Sequence, residues 1–332
     1  MMRDPWHRNH LIRDAIGRAI YDAMRTDPSI RLFGEGAHMK VHFDAPQIEK
    51  EFPERVGTLP VSEDGNLNFA VGASLLGVKP VVDVITADFL YRAMDSICNT
   101  AAKGNYVSGD EPPKTIVIRS EFLIGGPTTG QRPEALFTHI PGLNVVVPST
   151  PADAYGLMRT ALGSPGVTLF FEDRMIKDAE SIHELDYSEA HTVPFGSAAF
   201  RGWRRGNPPQ LTVIAYGLMA HSAWAVLDHA GVLGHAQLDG VDLLDLRTIY
   251  PIDWSAVLAS ARATGKVLIV EPDVAYGGIG AEIAATLAER VAGVVVRRLG
   301  APRLTIPASR DLHDQMMPTA EGILAAVREM LA

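Results

Sequence analysis

One cysteine, Cys98, stands among 332 residues, which excludes an internal disulfide and any metal centre built on several thiolates. A chain so poor in cysteine suits a reducing cytoplasm. No run of about 20 apolar residues is available to span a bilayer. The opening Met1-Met2-Arg3-Asp4-Pro5-Trp6-His7-Arg8 lacks the apolar core of a secretory signal, so a cytoplasmic protein with no membrane partner is expected. Positive charge is also short. With 30 Lys and Arg against 39 Asp and Glu the formal charge is −9, and nucleic acid is not an expected partner, because phosphate binding needs clustered cations. The densest basic stretch, Arg201-Gly202-Trp203-Arg204-Arg205, runs into Gly206-Asn207-Pro208-Pro209 and reads as a solvated turn.

Several chemical signatures are missing too. No Gly-x-x-x-x-Gly-Lys-Ser/Thr phosphate loop and no Gly-x-Ser-x-Gly elbow occurs, and the eleven histidines are scattered. Gly278-Ile279-Gly280 opens a helix after a strand, but the third glycine of a dinucleotide fingerprint falls on Ile283 and the motif fails. Cys98, inside Met94 to Thr100, reads as a small core residue rather than a nucleophile.

What remains is an ordinary globular composition, 47% hydrophobic and 21% charged, in a chain long enough for about two domains of roughly 150 residues. Helical and strand periods alternate from the start. An amphipathic helix over residues 9–24 leads to a strand at 30–33. A small-residue helix over 66–76, a β-branched strand at 81–85, a helix at 93–103 and a strand at 115–119 follow. Val145 to Val147 precedes Pro148-Ser149-Thr150-Pro151, a helix-entry signal, and a strand at 167–171 closes the first unit. Residues 172–210 turn polar and rich in His, Glu and Gly, as a linker does. A second alternation follows, with strands at 211–216, 241–246, 266–271 and 294–299 and helices at 221–230, 282–291 and 319–331. Apolar strands alternating with helices indicate α/β domains with mainly parallel sheets flanked by helices.

The chemistry-bearing stretch is Thr58-Leu59-Pro60-Val61-Ser62-Glu63-Asp64-Gly65. A carboxylate between an apolar stretch and a small-residue helix can be partly desolvated, which favours keeping a proton. Taken alone, Glu63 is most simply an exposed loop acid. Its context changes that reading: Pro60-Val61-Ser62-Glu63-x-Gly65, Val71-Gly72-Ala73, Gly77-Val78-Lys79-Pro80 and Ala87-Asp88-Phe89 follow one another. Ile118-Arg119-Ser120, Phe137-Thr138-His139-Ile140-Pro141-Gly142, Val146 to Ala154 and Phe170-Phe171-Glu172-Asp173 continue the order. Ala215-Tyr216-Gly217, Asp245-Leu246-Arg247, Pro251-Ile252-Asp253 and Gly277 to Glu282 complete it. The ordered set, from about residue 9 to 331, resembles the β subunits of 2-oxo acid dehydrogenases of the pyruvate and branched-chain type, within the transketolase-like thiamine diphosphate family.

The resemblance implies a pyrimidine-binding domain over residues 1–187, a linker at 188–210 and a transketolase-like C-terminal domain over 211–332. It implies an enzyme that decarboxylates a 2-oxo acid and transfers the acyl or aldehyde unit; an acyloin-forming carboligase and a split ketol transferase are the alternatives. Glu63 matches the family glutamate that hydrogen-bonds the pyrimidine N1′ of thiamine diphosphate, where sharing a proton favours the imino tautomer of the ring. Phe89 matches the aromatic that stacks on that ring, and Glu35 is placed with the cofactor-binding residues. Thr129, Gln131 and His139 fall on the substrate channel. The histidine common in the family at the first of these is here Thr129, which is no acid or base near neutral pH. That departure puts transfer to a lipoyl-bearing acyltransferase in question.

The diphosphate half of the site has no match. Neither Ser108-Gly109-Asp110-Glu111 nor Glu63-Asp64-Gly65-Asn66 fits the family's Gly-Asp-Gly segment, so Mg²⁺ is expected mainly on a partner α subunit, in an α₂β₂ assembly, and no metal site is assigned to this chain. Leu162 to Gly166 offers no carboxylate for potassium, and His221 reads as structural.

Overall fold

The computed structural model describes residues 11–35, 46–109, 114–124, 126, 128–176, 191–203, 208–232, 238 and 240–332. Asp110, Glu111 and the basic turn at 204–207 lie outside these. The chain divides into two compact units, residues 1–123 with 136–195, and residues 124–135 with 196–332.

In the first unit, strands β1 (Ile30–Gly34), β2 (Val56–Thr58), β3 (Lys79–Thr86), β4 (Thr115–Phe122), β5 (Leu143–Val146) and β6 (Gly166–Asp173) lie in the order β5-β6-β4-β3-β1-β2. All five pairings are parallel. Helices α1 (Ile12–Thr26), α2 (Pro46–Glu51), α3 (Glu63–Leu75), α4 (Ala102–Ser108), α5 (Glu134–Thr138, whose first two residues fall in the second unit) and α6 (Pro151–Gly163) connect them. Helix α1 packs along α6. Their apolar seam carries one polar knot, in which buried Asp22 accepts from Arg18 Nε at 2.8 Å and from the Tyr155 hydroxyl at 2.9 Å. Thr150 caps α6 by accepting from the Asp153 amide, with Pro151 next, so the entry signal read from the sequence is the one used.

In the second unit, β7 (Ala199–Trp203), β8 (Leu211–Ala215), β9 (Val241–Asp245), the short β10 (Thr248–Tyr250), β11 (Lys266–Val274) and β12 (Val295–Ala301) alternate with α7 (Gly217–Val232), α8 (Trp254–Thr264), α9 (Ile279–Arg290), α10 (Arg310–Met316) and α11 (Ala320–Leu331). The sheet order is β12-β11-β8-β9-β7, parallel except for the antiparallel edge strand β7. Its core joins Leu211, Val213, Leu243, Leu268 and Val270 of the sheet to Ala223 and Leu227 of α7 and Ile323 and Val327 of α11. The α/β architecture with mainly parallel sheets is therefore as expected.

Four local differences bear on function. Helix α3 begins at Glu63, three residues before the expected start, because two acids in its first turn suit the helix dipole despite Gly65. The helix expected over 93–103 is present but irregular, entered through a 3₁₀ stretch, Ala87–Ala93, and carrying a π-helical turn, Ser96–Ala101, before α4. The Ser96 hydroxyl bonds the Asp64 carboxylate, tying that irregular segment to the first turn of α3. Strand β4 runs on through Ser120, Glu121 and Phe122, all buried. Strand β7 occupies part of the expected linker, since an edge strand carrying Arg and Gly shows no apolar run.

Gly278 and Gly280, which mimic half a dinucleotide motif, face an anion of the protein itself. The Gly280 amide donates to Glu271 Oε2 at 3.0 Å, and a Cβ on Gly280 would stand 2.6 Å from Glu271 Oε1. The glycines let a buried carboxylate reach the N-terminus of α9, where the helix dipole favours it.

At the end of β1, Gly34 has φ +152° and lies opposite Asp83 of β3; a Cβ there would collide with the Asp83 carbonyl oxygen and stand 2.7 Å from its Cβ. Gly72, exposed on α3, faces nothing within 4 Å. In denaturant titrations Gly34→Ala should therefore lose about 2 kcal/mol or more, whereas Gly72→Ala should be neutral or gain up to ~1 kcal/mol. Equal effects of the two substitutions would show that the β1–β3 approach is not tight.

Candidate active site

Open parallel sheets present ligands at the carboxyl ends of their strands. Here those ends carry charge that has been taken out of water. Glu35 follows β1, Asp83 lies in β3, Arg119 and Glu121 in β4, and Glu172 and Asp173 end β6; all six are buried. The register sets Asp83 beside Arg119 and Glu121 beside Glu172. Arg119 donates from Nε to Glu172 Oε1 at 2.7 Å, a pairing that offsets the cost of two buried charges.

Glu35 organises the start of α3. Its Oε1 accepts from the Ser62 amide at 2.9 Å and from Asn66 Nδ2 at 3.1 Å, and the same Nδ2 reaches the Pro60 carbonyl at 3.0 Å. The bend at Pro60-Val61-Ser62 is thus held from outside the helix by a side chain 27 residues earlier. Its other oxygen, Oε2, is buried without a hydrogen-bond partner among the described residues. Burial, and after it the charges of Glu63 and Asp83, push the Glu35 carboxyl above the ordinary glutamate range, against the donors Ser62 and Asn66.

Glu63, the first residue of α3, is 6% exposed and so is not a solvated loop acid. Arg92, itself exposed, approaches it at 3.9 Å, too long for a tight pair. The Glu63 carboxylate is thus desolvated, near a second carboxylate, and not locked to a close cation. Phe89 is half-buried on the 3₁₀ stretch, which packs against α3. Glu35, Glu63 and the Phe89 segment are therefore brought together in one unit. Thr129 and Gln131 lie in the 124–135 segment, which belongs to the second unit, with Gln131 exposed; His139 is exposed on the first. The Thr129 Oγ1 accepts from the Gly126 amide at 3.0 Å, so this hydroxyl closes a local turn. Cys98 is half-buried, and burial raises its thiol pKa.

Sequence reasoning missed Asn66, Asp83 and Arg92. The first two had a readable signal: Asp83 interrupts the apolar run Val81-Val82-Asp83-Val84, and Asn66 lies one helical turn after Ser62. Among the described residues, no group of three or more His, Cys, Asp or Glu could hold a metal ion, and no helix is long and apolar enough to cross a membrane.

This fold, with its carboxylates at the strand ends, defines a protein of transketolase type: residues 10–177 match the transketolase pyrimidine-binding domain and residues 204–323 the transketolase C-terminal domain. The chain is similar to the 2-oxoisovalerate dehydrogenase subunit beta of Bacillus subtilis, at 32% identity with 96% of this chain and 97% of that one covered. It is 31% identical to the acetoin:2,6-dichlorophenolindophenol oxidoreductase subunit beta of Cupriavidus necator, over 96% of this chain and 97% of the other. The mitochondrial pyruvate dehydrogenase E1 component subunit beta-2 of Oryza sativa is also 31% identical, over 96% of this chain and 85% of the relative. A solved split gene transketolase, described as an inactive beta4 tetramer, superposes with a TM-score of 0.77 at 23% identity, covering 97% of this chain and 98% of that one, which establishes the fold. The chain belongs to the family of 2-oxo acid dehydrogenase β subunits.

Because its folded-state pKa is raised, the ionised Glu35 opposes folding at neutral pH, and the opposition disappears as pH falls through that value and the carboxyl becomes neutral. Glu35→Gln keeps an acceptor for Ser62 and Asn66 without the charge. It should stabilise the isolated chain at pH 7 by about 0.5–2 kcal/mol, as substitutions at strained functional sites do, and the gain should vanish near pH 4. Urea titrations at the two pH values test this; a loss of stability at pH 7 would show that the charge is compensated.

Proposed function

We propose that this chain is the β half of a heteromeric thiamine-diphosphate-dependent enzyme that decarboxylates a 2-oxo acid and hands the acyl or aldehyde unit to an acceptor. The observation that carries the reading is Glu63: a buried carboxylate at a helix start, next to a second buried carboxylate and without a tight cation. Such a group can share a proton with a ring nitrogen, which a solvated or salt-bridged acid does poorly. The residues fit the pyrimidine half of the cofactor, with Glu63 at N1′, Phe89 offering an apolar face, and Glu35 holding the backbone before α3. Thiamine diphosphate, when bound, supplies the carbon nucleophile and the electron sink for decarboxylation.

The diphosphate and its Mg²⁺ belong, in this reading, to an α subunit in an α₂β₂ complex, since this chain lacks the Gly-Asp-Gly segment. Exposed apolar side chains support a partner on this face: Val61 precedes α3, Phe69 and Leu75 lie on it, Leu76 follows it, and Tyr91 sits on the adjoining 3₁₀ stretch. The single cysteine suits assembly in the cytoplasm.

In the complex reconstituted with its α subunit, Glu63→Gln should leave assembly intact by gel filtration and lower turnover by about a thousandfold or more, since an amide cannot share the proton. Turnover within tenfold of wild type would remove Glu63 from the chemistry.

Thr129 favours an acceptor other than lipoyl. Acyl transfer to the dithiolane requires a proton for the departing sulfur, and a threonine hydroxyl engaged in a turn is far too weak an acid to give it. Offered a 2-oxo acid with either a lipoylated domain or a carbonyl compound, the complex should yield free aldehyde or acyloin and little acylated lipoyl domain, as read by mass spectrometry. Efficient lipoyl acylation without acyloin would return the chain to the lipoyl-linked dehydrogenases.

A further inference from the structure

The second unit contains a buried acid cluster that the proposed chemistry leaves unused. Glu134 has no exposed surface. Its Oε1 accepts from Arg132 Nε at 3.0 Å and from the hydroxyl of Tyr216, at the end of β8, at 3.3 Å. Its Oε2 is buried with no hydrogen-bond partner among the described residues. Buried Glu271 of β11 lies nearby, with Arg298 of β12 donating to it at 3.3 Å and the Gly280 amide at the start of α9 donating at 3.0 Å, and half-buried Asp273 on the same strand feels the charge of Glu134. All of these groups lie in the second unit, including residues 124–135.

Arg132 and Glu134 stand at one end of that segment, and the Gly126–Thr129 turn stands at the other. Between them lie Gly130, at φ +109°, and exposed Gln131. A segment with little regular structure is thus pinned at a buried, charged anchor, and removing one partner from such an anchor leaves an uncompensated charge in the interior. We propose that Tyr216 is a positioning residue which, with Glu134 and Arg132, clamps the 124–135 segment and so sets where Thr129 and Gln131 meet the 2-oxo acid. The proposal rests on the functional reading above for its substrate half alone.

The electrostatics give the clamp a direction in pH. Burial pushes the Tyr216 hydroxyl far above its ordinary range, so it stays a donor. Burial, and then the charge of Glu134, push Asp273 up to about 8, against its own backbone donor Val274 and against Arg132. Below that pH Asp273 is neutral. Above it Asp273 adds a negative charge towards Glu134 and Glu271, which have Arg132 and Arg298 beside them, and the clamp weakens.

Hydrogen exchange of the full-length chain, normalised to intrinsic rates, tests this directly. Protection of the amides of residues 126, 128–132, 134 and 135 should fall about fivefold or more between pH 7 and pH 9, and Asp273→Asn should abolish that fall. Tyr216→Phe should lower the protection of the segment at both pH values while β9 and β11 keep theirs. An unchanged segment in Tyr216→Phe, or an undiminished pH effect in Asp273→Asn, overturns the proposal. In the α-subunit complex Tyr216→Phe should raise KM for the 2-oxo acid about fivefold or more with kcat little changed, the signature of lost positioning. A loosened segment with an unmoved KM overturns the substrate half. A wild-type complex inert to every 2-oxo acid refutes the functional reading and leaves the exchange result to decide the clamp.

Discussion

A carboxylate withdrawn from water must be answered by fixed donors or give up its charge, and the first unit is arranged around Glu35 in this condition. Its one bonded oxygen takes the Ser62 amide and the Asn66 side chain, which decides where α3 begins and hence where Glu63 points from. The approach of β1 to β3 at Gly34 brings Glu35 to that position beside Asp83. The second oxygen stays buried and unanswered among the described residues, and this keeps the Glu35–Glu63 neighbourhood electrostatically tense. Such tension is costly for folding and useful for proton sharing, which is why sites of this kind depart from stability optima.

The second unit meets the same constraint differently. Glu271 is answered at once, by a helix N-terminus that two glycines leave open and by Arg298. Glu134 is answered by a neighbouring arginine and a buried tyrosine. A domain with no expected catalytic residue therefore carries buried charge of its own, and that charge is attached to the segment bearing Thr129. Catalytic families can draw on such supporting contacts as much as on the groups that touch substrate.

Much of this was legible in the residues. The alternation of strands and helices, the Ser-Thr-Pro entry to α6 and the ordered motifs around Glu63 are local or nearest-neighbour properties, and they identified the fold class and the candidate acid. The failure of the dinucleotide fingerprint at Ile283 was also readable, although the partner that Gly278 and Gly280 accommodate was not. Residues 199–203 were misread, and the helix over 93–103 was read without its π turn. An edge strand has only one paired side and needs no apolar run, while a helical period does not distinguish α from 3₁₀ or π turns.

By itself, then, the sequence determined the order of elements and the two-domain transketolase type, and it pointed to Glu63 as the candidate acid. Only the tertiary structure decided that Glu63 is buried, that Glu35 holds the start of its helix from 27 residues away, and that Tyr216 meets Glu134 across 82 residues. The reason is physical. Periodicity and capping act within a few residues along the chain, whereas desolvation and hydrogen bonding between distant side chains exist only once the strands have been brought side by side.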